Sequence, residues 1–277
     1  MGRVRALCAG GALVALAFGL PSPAAAVPEC GGKRATIVGT SGPDRIRGTA
    51  GPDVIATFSG ADVIRSRGGE DLVCAGRGAD EVRTGKGGDE TFGGAGSDYV
   101  AGRAGRDGLN GGRGNDTLHG SAGYDTLVGG PDRSQRSDVD FIYGGSKPDS
   151  LKGGADVDVL QGERGEDVLQ GEEGNDEVFG GLGGDDLYGG PGRDVLGISL
   201  AGEPSDRGDD RMRGGRNRDI IQGGPRSDSL FGSADADSLF GGPGSDGCSG
   251  GGGSDSCDGG PGPDLCVDCE SSTNCEP

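Results

Sequence analysis

An aspartate recurs every nine residues along most of this chain of 277 residues. Gly93–Ala101 reads GGAGSDYVA and Gly111–His119 reads GGRGNDTLH, so both fit the pattern G-G-x-G-x-D-x-U-x, in which U is apolar. A single match of this kind in a glycine-rich chain is typical of an ordinary Asx turn. Because the match stays in register from Gly39 to Val267, it predicts a tandem repeat rather than a set of unrelated turns.

The eighth residue of each unit supplies the apolar part of the pattern. It is aliphatic or cysteine from Ile46 to Cys266, and Thr91 is the one polar residue in the series. Such a core is thin, because a buried apolar side chain contributes only about 1.5–3 kcal/mol. Ordering the backbone costs about 1–2 kcal/mol for every residue. The core alone therefore does not balance the cost of folding.

The composition agrees with a chain that needs a ligand in order to fold. Glycine accounts for 65 residues, tryptophan is absent, hydrophobic residues make up 31% and the formal net charge is −19. Low hydrophobicity with high net charge is typical of disorder unless binding supplies the missing free energy. The acidic balance disfavours nucleic acid and anionic lipid as partners and favours cations.

The first 26 residues have the pattern of a secretory signal peptide. Arg3 and Arg5 precede an apolar stretch, residues 6–20, that is too short to span a bilayer, and the small residues 24–26 form a cleavage site. We expect cleavage after Ala26 and a secreted, extracellular protein. A retained anchor is the alternative, and no other segment of the sequence is apolar enough to cross a membrane.

The repeat divides the rest of the chain. We expect, in order, an N-terminal leader at 27–38, repeats at 39–131, an insertion at 132–137, repeats at 138–197, an insertion at 198–204, repeats at 205–267 and a cysteine-containing tail at 268–277. Insertions at loop tips are commonly tolerated without a role. The alternative is that these two insertions carry a binding function.

These units resemble the haemolysin-type calcium-binding repeats, or RTX nonapeptides, over Gly39 to Val267. The opening stretch Cys30–Thr40 resembles the leader of small secreted proteins that consist of little besides such repeats. The resemblance implies an all-β fold, an elongated parallel β-roll in which a six-residue loop and a three-residue strand make one unit and two units make one coil. The eighth residue then points inward and stacks on its equivalent 18 residues later.

The resemblance also implies multiple Ca²⁺ ions, each between a loop and the same-side loop one coil further on. Calcium takes six to eight hard oxygen ligands, which the aspartate carboxylates and the carbonyls of glycine-rich loops can supply. Binding would then drive folding. The expected ligand loops contain Asp80, Asp89, Asp98, Asp107, Asp116, Asp125, Asp167, Asp176, Asp185, Asp194, Asp246, Asp255 and Asp264, with Gly94, Gly96, Gly112, Gly114, Gly181, Gly183, Gly190, Gly192, Gly242, Gly244, Gly251 and Gly253.

The units differ in how well they match. Lys147 and Arg226 replace the fourth glycine, and we expect weak or empty sites in those two loops. The first three units are poor in loop glycines, and we expect them mainly to cap the roll.

Seven cysteines remain once Cys8 leaves with the signal peptide, so at least one thiol stays free or pairs with another chain. Cys248 and Cys266 lie on neighbouring rungs, within the usual disulfide Cα range, and Cys257 faces them from the other sheet. We expect these residues, with Cys269 and Cys275, to form a disulfide-rich C-terminal cap, although small buried hydrophobes are the alternative. The family's leader implies that Cys30 and Cys74 could pair. We expect a monomer, with a dimer through the odd cysteine as the alternative.

Nothing in the sequence indicates an enzyme. His119 is the only histidine, which excludes the H-E-x-x-H motif, and the G-x-S-x-G match at 247–251 lies inside a repeat. A calcium-dependent structural or binding module is therefore expected, with a cell-surface or matrix polysaccharide or protein as a partner. An extracellular adhesin is the alternative, although position seven carries no regular ladder. A polysaccharide-modifying enzyme is less favoured, because such family members carry a separate catalytic domain.

Overall fold

The computed structural model describes residues 28–131, 138–197 and 208–276. The predicted signal peptide, 1–26, and both predicted insertions, 132–137 and 198–204, lie outside the described residues. Within the described part, no helix is long and apolar enough to cross a membrane.

The described residues form strands joined by short turns. In chain order the strands are β1 Glu29–Cys30, β2 Lys33–Arg34, β3 Ile37–Val38, β4 Arg45–Arg47, β5 Val54–Ala56, β6 Val63–Gly68, β7 Leu72–Arg77, β8 Glu81–Lys86, β9 Glu90–Ala95, β10 Tyr99–Ala104, β11 Gly108–Arg113, β12 Thr117–Ala122, β13 Thr126–Gly130, β14 Phe141–Ser146, β15 Ser150–Ala155, β16 Val159–Arg164, β17 Val168–Glu173, β18 Glu177–Leu182, β19 Asp186–Pro191, β20 Val195–Gly197, β21 Arg211–Arg216, β22 Ile220–Gln222, β23 Ser229–Ala234, β24 Ser238–Phe240, β25 Gly247–Gly252, β26 Ser256–Asp258, β27 Leu265–Val267 and β28 Ser271–Thr273.

Two long parallel sheets hold nearly all of these strands. In the described residues, the even sheet contains the 13 even-numbered strands from β4 to β28, and the odd sheet contains the 13 odd-numbered strands from β3 to β27. Each strand pairs in register with the strand two further on, so that Val100 lies between Val82 and Leu118. Successive strands therefore alternate between the sheets, which confirms the parallel β-roll.

Many strands are longer than the repeat predicts. We expected three-residue strands and six-residue loops, but β10 runs for six residues, from Tyr99 to Ala104. It extends through the first three positions of the following unit, and the pairing register passes over Gly102. The ladder resumes at Arg103, which leaves only a short turn between one sheet and the next.

The inward-facing eighth residues of the two sheets pack against one another and form one continuous core. Ile64, Leu118, Leu160 and their equivalents are fully buried and pack into one cluster that runs the length of the described roll. Thr91 occupies the eighth position of its unit and is equally buried, but its hydroxyl has no hydrogen-bond partner among the described residues. The sheets themselves supply little further apolar surface.

Disulfide-linked segments cover the two ends. The leader forms the antiparallel pair β1–β2, and the Cys30–Cys74 disulfide fastens it to the odd sheet, the pairing that the resemblance implies. The residues expected to be leader also supply the first rung of that sheet, because Ile37 pairs with Ile55.

At the other end, disulfides join Cys257 to Cys269 and Cys266 to Cys275, and β28 from the tail adds a last rung to the even sheet. The disulfide-rich cap is confirmed. Cys248 is a buried free thiol, so a disulfide to its neighbour Cys266 is wrong. The tail folds back beside the last strands of the roll, so that Cys269 and Cys275 bond with Cys257 and Cys266 and leave Cys248 without a partner among the described cysteines.

Candidate metal sites

The aspartates at position six form two files, one along each edge of the roll. The backbone N–H of Asp80 donates to Oδ1 of Asp98 at 2.8 Å, and the N–H of Asp98 donates to Oδ1 of Asp116 at 2.8 Å. The files continue past both predicted insertions, because the N–H of Asp125 reaches Asp149 at 2.7 Å and that of Asp194 reaches Asp219 at 2.9 Å. Each predicted ligand aspartate accepts in this way: Asp80, Asp89, Asp98, Asp107, Asp116, Asp125, Asp167, Asp176, Asp185, Asp194, Asp246, Asp255 and Asp264.

The second carboxylate oxygen of most of these aspartates is buried and receives no hydrogen bond. Among the described residues, Oδ2 lacks a donor in Asp62, Asp71, Asp80, Asp89, Asp98, Asp107, Asp125, Asp149, Asp167, Asp176, Asp194, Asp219, Asp237, Asp246, Asp255 and Asp264. A buried anionic oxygen without a donor is costly. A file of such oxygens needs either protons or cations beside it.

The surroundings of these carboxylates oppose their negative charge. Burial raises the pKa of Asp98 to about 7, and the charge of Asp80 raises it further, against the opposing effect of the N–H bond from Asp80. Burial raises the pKa of Asp219 to about 8, with Asp194 and Asp237 adding to the increase. Without a counter-charge, the ionised files therefore destabilise the roll near neutral pH.

At the loop glycines, carboxylate and carbonyl oxygens lie so close to the backbone that a side chain would not fit. A Cβ placed on Gly93 would lie 2.6 Å from Oδ2 of Asp98 and 2.5 Å from the carbonyl oxygen of Gly111 in the next coil. A Cβ on Gly165 would lie 2.5 Å from both Oδ1 of Asp167 and the carbonyl oxygen of Lys147 in the preceding coil. Oxygens of two adjacent same-side loops thus converge on one region, as the resemblance implies.

The predicted ligand glycines occupy this oxygen-lined path. Gly94, Gly96, Gly112, Gly114, Gly181, Gly183, Gly190, Gly242, Gly251 and Gly253 adopt positive φ. Gly192 and Gly244 do not, but a Cβ on either would collide with a carbonyl oxygen of the preceding coil.

The units that lack the fourth glycine keep the loop conformation. Lys147 and Arg226 have φ of 81° and 121°, the left-handed region that glycine favours. The ammonium of Lys147 lies 5.3 Å from the ring centroid of Tyr124, and Oδ2 of Asp149 in the same loop is among the buried oxygens without a donor. Lys147 thus keeps its carbonyl in place, and the predicted weakness of this site rests on the backbone strain of a non-glycine residue there.

The ends of the files are closed by residues that the repeat pattern does not contain, and the hydroxyls of Thr40 and Thr49 also donate to Oδ2 of Asp44 at 3.2 Å and of Asp53 at 3.1 Å. The N–H of Thr40 donates to Oδ2 of Asp44 at 2.6 Å, and the N–H of Thr49 donates to Oδ2 of Asp53 at 2.7 Å. These two aspartates act as caps, whereas Asp62 in the third unit carries a buried Oδ2 without a donor. At the other end, Oε2 of Glu270 accepts the N–H of Asp255 at 2.6 Å, in place of a further aspartate.

This geometry suits a hard cation that takes most of its ligands from the backbone. Among the described residues, no three His, Cys, Asp or Glu side chains converge as a metal-binding group. The loops instead bring a carboxylate oxygen close to a carbonyl oxygen of an adjacent coil, as at Gly93 and Gly165. All-oxygen coordination with flexible geometry fits Ca²⁺ better than Mg²⁺, which demands near-ideal octahedral sites, or than Zn²⁺, which prefers nitrogen and sulfur.

A comparison with protein families identifies the repeat. A family model described as the RTX calcium-binding nonapeptide repeat (4 copies) matches residues 38–73, 75–109, 110–133, 136–169, 161–196, 205–225, 213–248 and 222–257. No curated protein matches the chain. The matched segments cover most of the chain and contain nearly all of both aspartate files.

Proposed function

Because the chain belongs to the RTX calcium-binding nonapeptide repeat family, we propose that it is a secreted structural module whose roll forms when calcium ions fill both loop edges. The family accounts for the β-roll and for calcium binding. Multiple sites, calcium-driven folding and secretion are the proposal. The observation that supports it most strongly is the file of buried aspartate oxygens without donors.

The proposed ligand loops are those that contain the thirteen aspartates predicted from the sequence. In each, Oδ2 would bind the ion together with carbonyl oxygens of the same loop and of the next loop on that side, while Oδ1 stays engaged with a backbone N–H. Asp62 and Asp71 each have a buried Oδ2 without a donor among the described residues, and they extend the proposed set toward the N-terminus. Asp44 and Asp53 are left out, because threonine N–H groups already hold their Oδ2 atoms.

Calcium binding at these loops would supply the folding free energy that the thin core lacks. In the unfolded chain the carboxylates are solvated and far apart, so the sites exist only in the roll, and binding free energy becomes folding free energy. Since each proposed site joins two coils, filling one site also orders the loop of the next.

Secretion agrees with this chemistry. The three disulfides suit an oxidising compartment. Extracellular calcium modules bind with dissociation constants of roughly 10⁻⁴–10⁻³ M, so sites of that strength would be filled outside the cell. The chain would then fold after export.

Equilibrium dialysis against ⁴⁵Ca²⁺ tests the proposal. We expect many ions per chain, close to one for each proposed aspartate, and little displacement by excess Mg²⁺. A chain in which Asp98, Asp107 and Asp116 are changed to Asn should bind correspondingly fewer ions. Binding of one ion or none by the wild-type chain, or equal displacement by Mg²⁺, would contradict it.

A further inference from the structure

The first four strands of the even sheet carry an unusual concentration of positive charge. Strands β4, β6, β8 and β10 contain seven cations and a single carboxylate, that of Glu81. The cations are Arg45, Arg47, Arg65, Arg67, Arg83, Lys86 and Arg103. The whole chain has a net charge of −19, so this face stands apart from the rest of the molecule.

Three of the arginines form a ladder at position nine. Arg47 pairs with Arg65, and Arg65 pairs with Arg83. Their neighbours Ile46, Ile64 and Val82 point into the core, so the arginines point outward, and the side chain of Arg65 is 60% exposed. Strands in a sheet are about 4.8 Å apart, which places one guanidinium on each rung.

Stacking like charges on neighbouring rungs is destabilising, and the fold offsets little of this cost. Glu81 contacts Arg83 and lies 3.8 Å from Arg65. Arg83 also lies over the ring of Tyr99, 5.4 Å from its centroid. One carboxylate and one ring hold the upper part of the ladder in place, but most of its positive charge still faces solvent.

The described part of the N-terminal leader does not lie on this face. It packs on the odd sheet, where Cys30 joins Ala56 and Leu72 in a small apolar cluster. Among the described residues, the outer surfaces of the first coils therefore differ: the leader covers an apolar part of the odd sheet, whereas the even sheet is basic and carries none of the leader. A covered face serves stability, whereas a bare face with clustered charge is available to a ligand.

We propose that the outer face of β4, β6, β8 and β10 binds a linear acidic polysaccharide that lies along the axis of the roll. Guanidinium groups match carboxylate and sulfate oxygens with paired hydrogen bonds. Arginines that repeat at about 4.8 Å can engage anionic groups on successive sugars of one extended chain, since a sugar unit advances by a similar distance.

The shape of the basic face favours a thin ligand. It is one sheet wide and four rungs long, about 14 Å at the usual strand spacing. A nucleic acid duplex or a bilayer surface is much wider and would bring its phosphates over the rest of an acidic rod, where repulsion opposes binding. A single polysaccharide chain contacts the basic strip alone.

Matched charge variants test this proposal. One variant changes the ladder, Arg47→Gln, Arg65→Gln and Arg83→Gln. The control variant changes three exposed arginines off this face and outside the proposed ligand loops, Arg34→Gln, Arg213→Gln and Arg216→Gln, and has the same net charge. Affinity for an oligogalacturonate too short to gel with calcium, a heparin oligosaccharide and neutral dextran is measured in saturating Ca²⁺ at two salt concentrations. Circular dichroism of each variant establishes that its roll is intact.

We expect the wild type and the control variant to bind at least one acidic oligosaccharide equally, and neither to bind dextran. The ladder variant should lose about tenfold or more in affinity, with a salt dependence that is shallower by about two to three ions. Preference between the first two probes tells whether carboxylates or sulfates are the natural groups.

Three results would overturn the proposal: no binding of either acidic probe by the folded wild type, equal loss in both variants, or self-association of the wild type that only the ladder variant loses. The last would assign the face to the acidic surface of a second copy. A roll that fails to form in Ca²⁺ would instead contradict the proposed function, and circular dichroism separates the two failures.

Discussion

Replacing one interior aspartate with asparagine should change stability in opposite directions with and without calcium. Asp107 lies in the middle of its file, where Oδ1 accepts the N–H of Asp89 at 2.9 Å and the buried Oδ2 has no donor among the described residues. In Asp107→Asn the amide oxygen can keep the bond from Asp89. The substitution therefore removes mainly the anionic oxygen.

The magnitudes follow from the two roles of that oxygen. With free calcium at about 100 times the dissociation constant, losing one site costs about 2.7 kcal/mol of folding free energy. Without calcium the sign reverses. Burial raises the pKa of Asp107 to about 7 from 3.8, so its ionisation above pH 7 disfavours the roll by about 4 kcal/mol, and asparagine relieves that cost.

Urea unfolding monitored by circular dichroism at pH 8 and at several calcium concentrations, with the free energy of unfolding extrapolated to zero calcium, measures both effects. The dependence of stability on calcium concentration also gives the number of ions bound on folding, which should fall by about one. Asp44→Asn is the matched control, because Thr40 already holds Oδ2 of Asp44, and its ion number should not change. An Asp107→Asn protein that is destabilised equally in both conditions, with an unchanged ion number, would refute the reasoning.

Three further predictions concern the core and the ionised files. Thr91→Val should stabilise the calcium-loaded roll by about 1–3 kcal/mol in urea unfolding, since it removes a buried hydroxyl without a partner, and a loss of stability would show that the hydroxyl is satisfied. Burial raises the pKa of the Cys248 thiol to about 12. Iodoacetamide should therefore leave this thiol unmodified in calcium and add one label after the chain unfolds in chelator, as measured by mass spectrometry. Rapid labelling in calcium would contradict the burial of Cys248. In chelator, the pKa values of about 7 for Asp98 and about 8 for Asp219 exceed the unfolded value of 3.8. The equilibrium between coil and roll therefore shifts toward the roll as pH falls from 8 to 5, and away from it as pH rises through these values. Far-UV circular dichroism should show more β-structure at pH 5 than at pH 8, and less β-structure at pH 5 would oppose this.

The repeat predicts the fold because its period fixes the register. Nine residues per unit and two units per coil place Val100 beside Val82 and Leu118, as the structure does. The same period places the predicted aspartates in two files. A sequence pattern of this regularity leaves few alternative ways to pack the eighth residues.

Features outside the repeat were harder to predict, because they depend on contacts between coils. The pairing of Cys266 with Cys275 depends on how the tail folds back, which spacing does not define. The caps on Asp44 and Asp53 had a visible signal, since threonine replaces glycine at position two of both units.

The arginine ladder lies outside the repeat pattern. Position seven is irregular, whereas the ladder lies at position nine of every second unit, in Arg47, Arg65 and Arg83. The stacking of residues 18 apart, expected for position eight, applies equally to position nine, but the repeat pattern specifies no residue type there.

Far-UV circular dichroism of residues 27–277, titrated with Ca²⁺ and separately with Mg²⁺, tests the central claim most directly. Calcium-coupled folding predicts a transition from coil to β-structure with Ca²⁺ alone, which chelator reverses. A spectrum that is already rich in β-structure in chelator and does not change with Ca²⁺ would contradict the account, and would indicate a roll held by its core and disulfides.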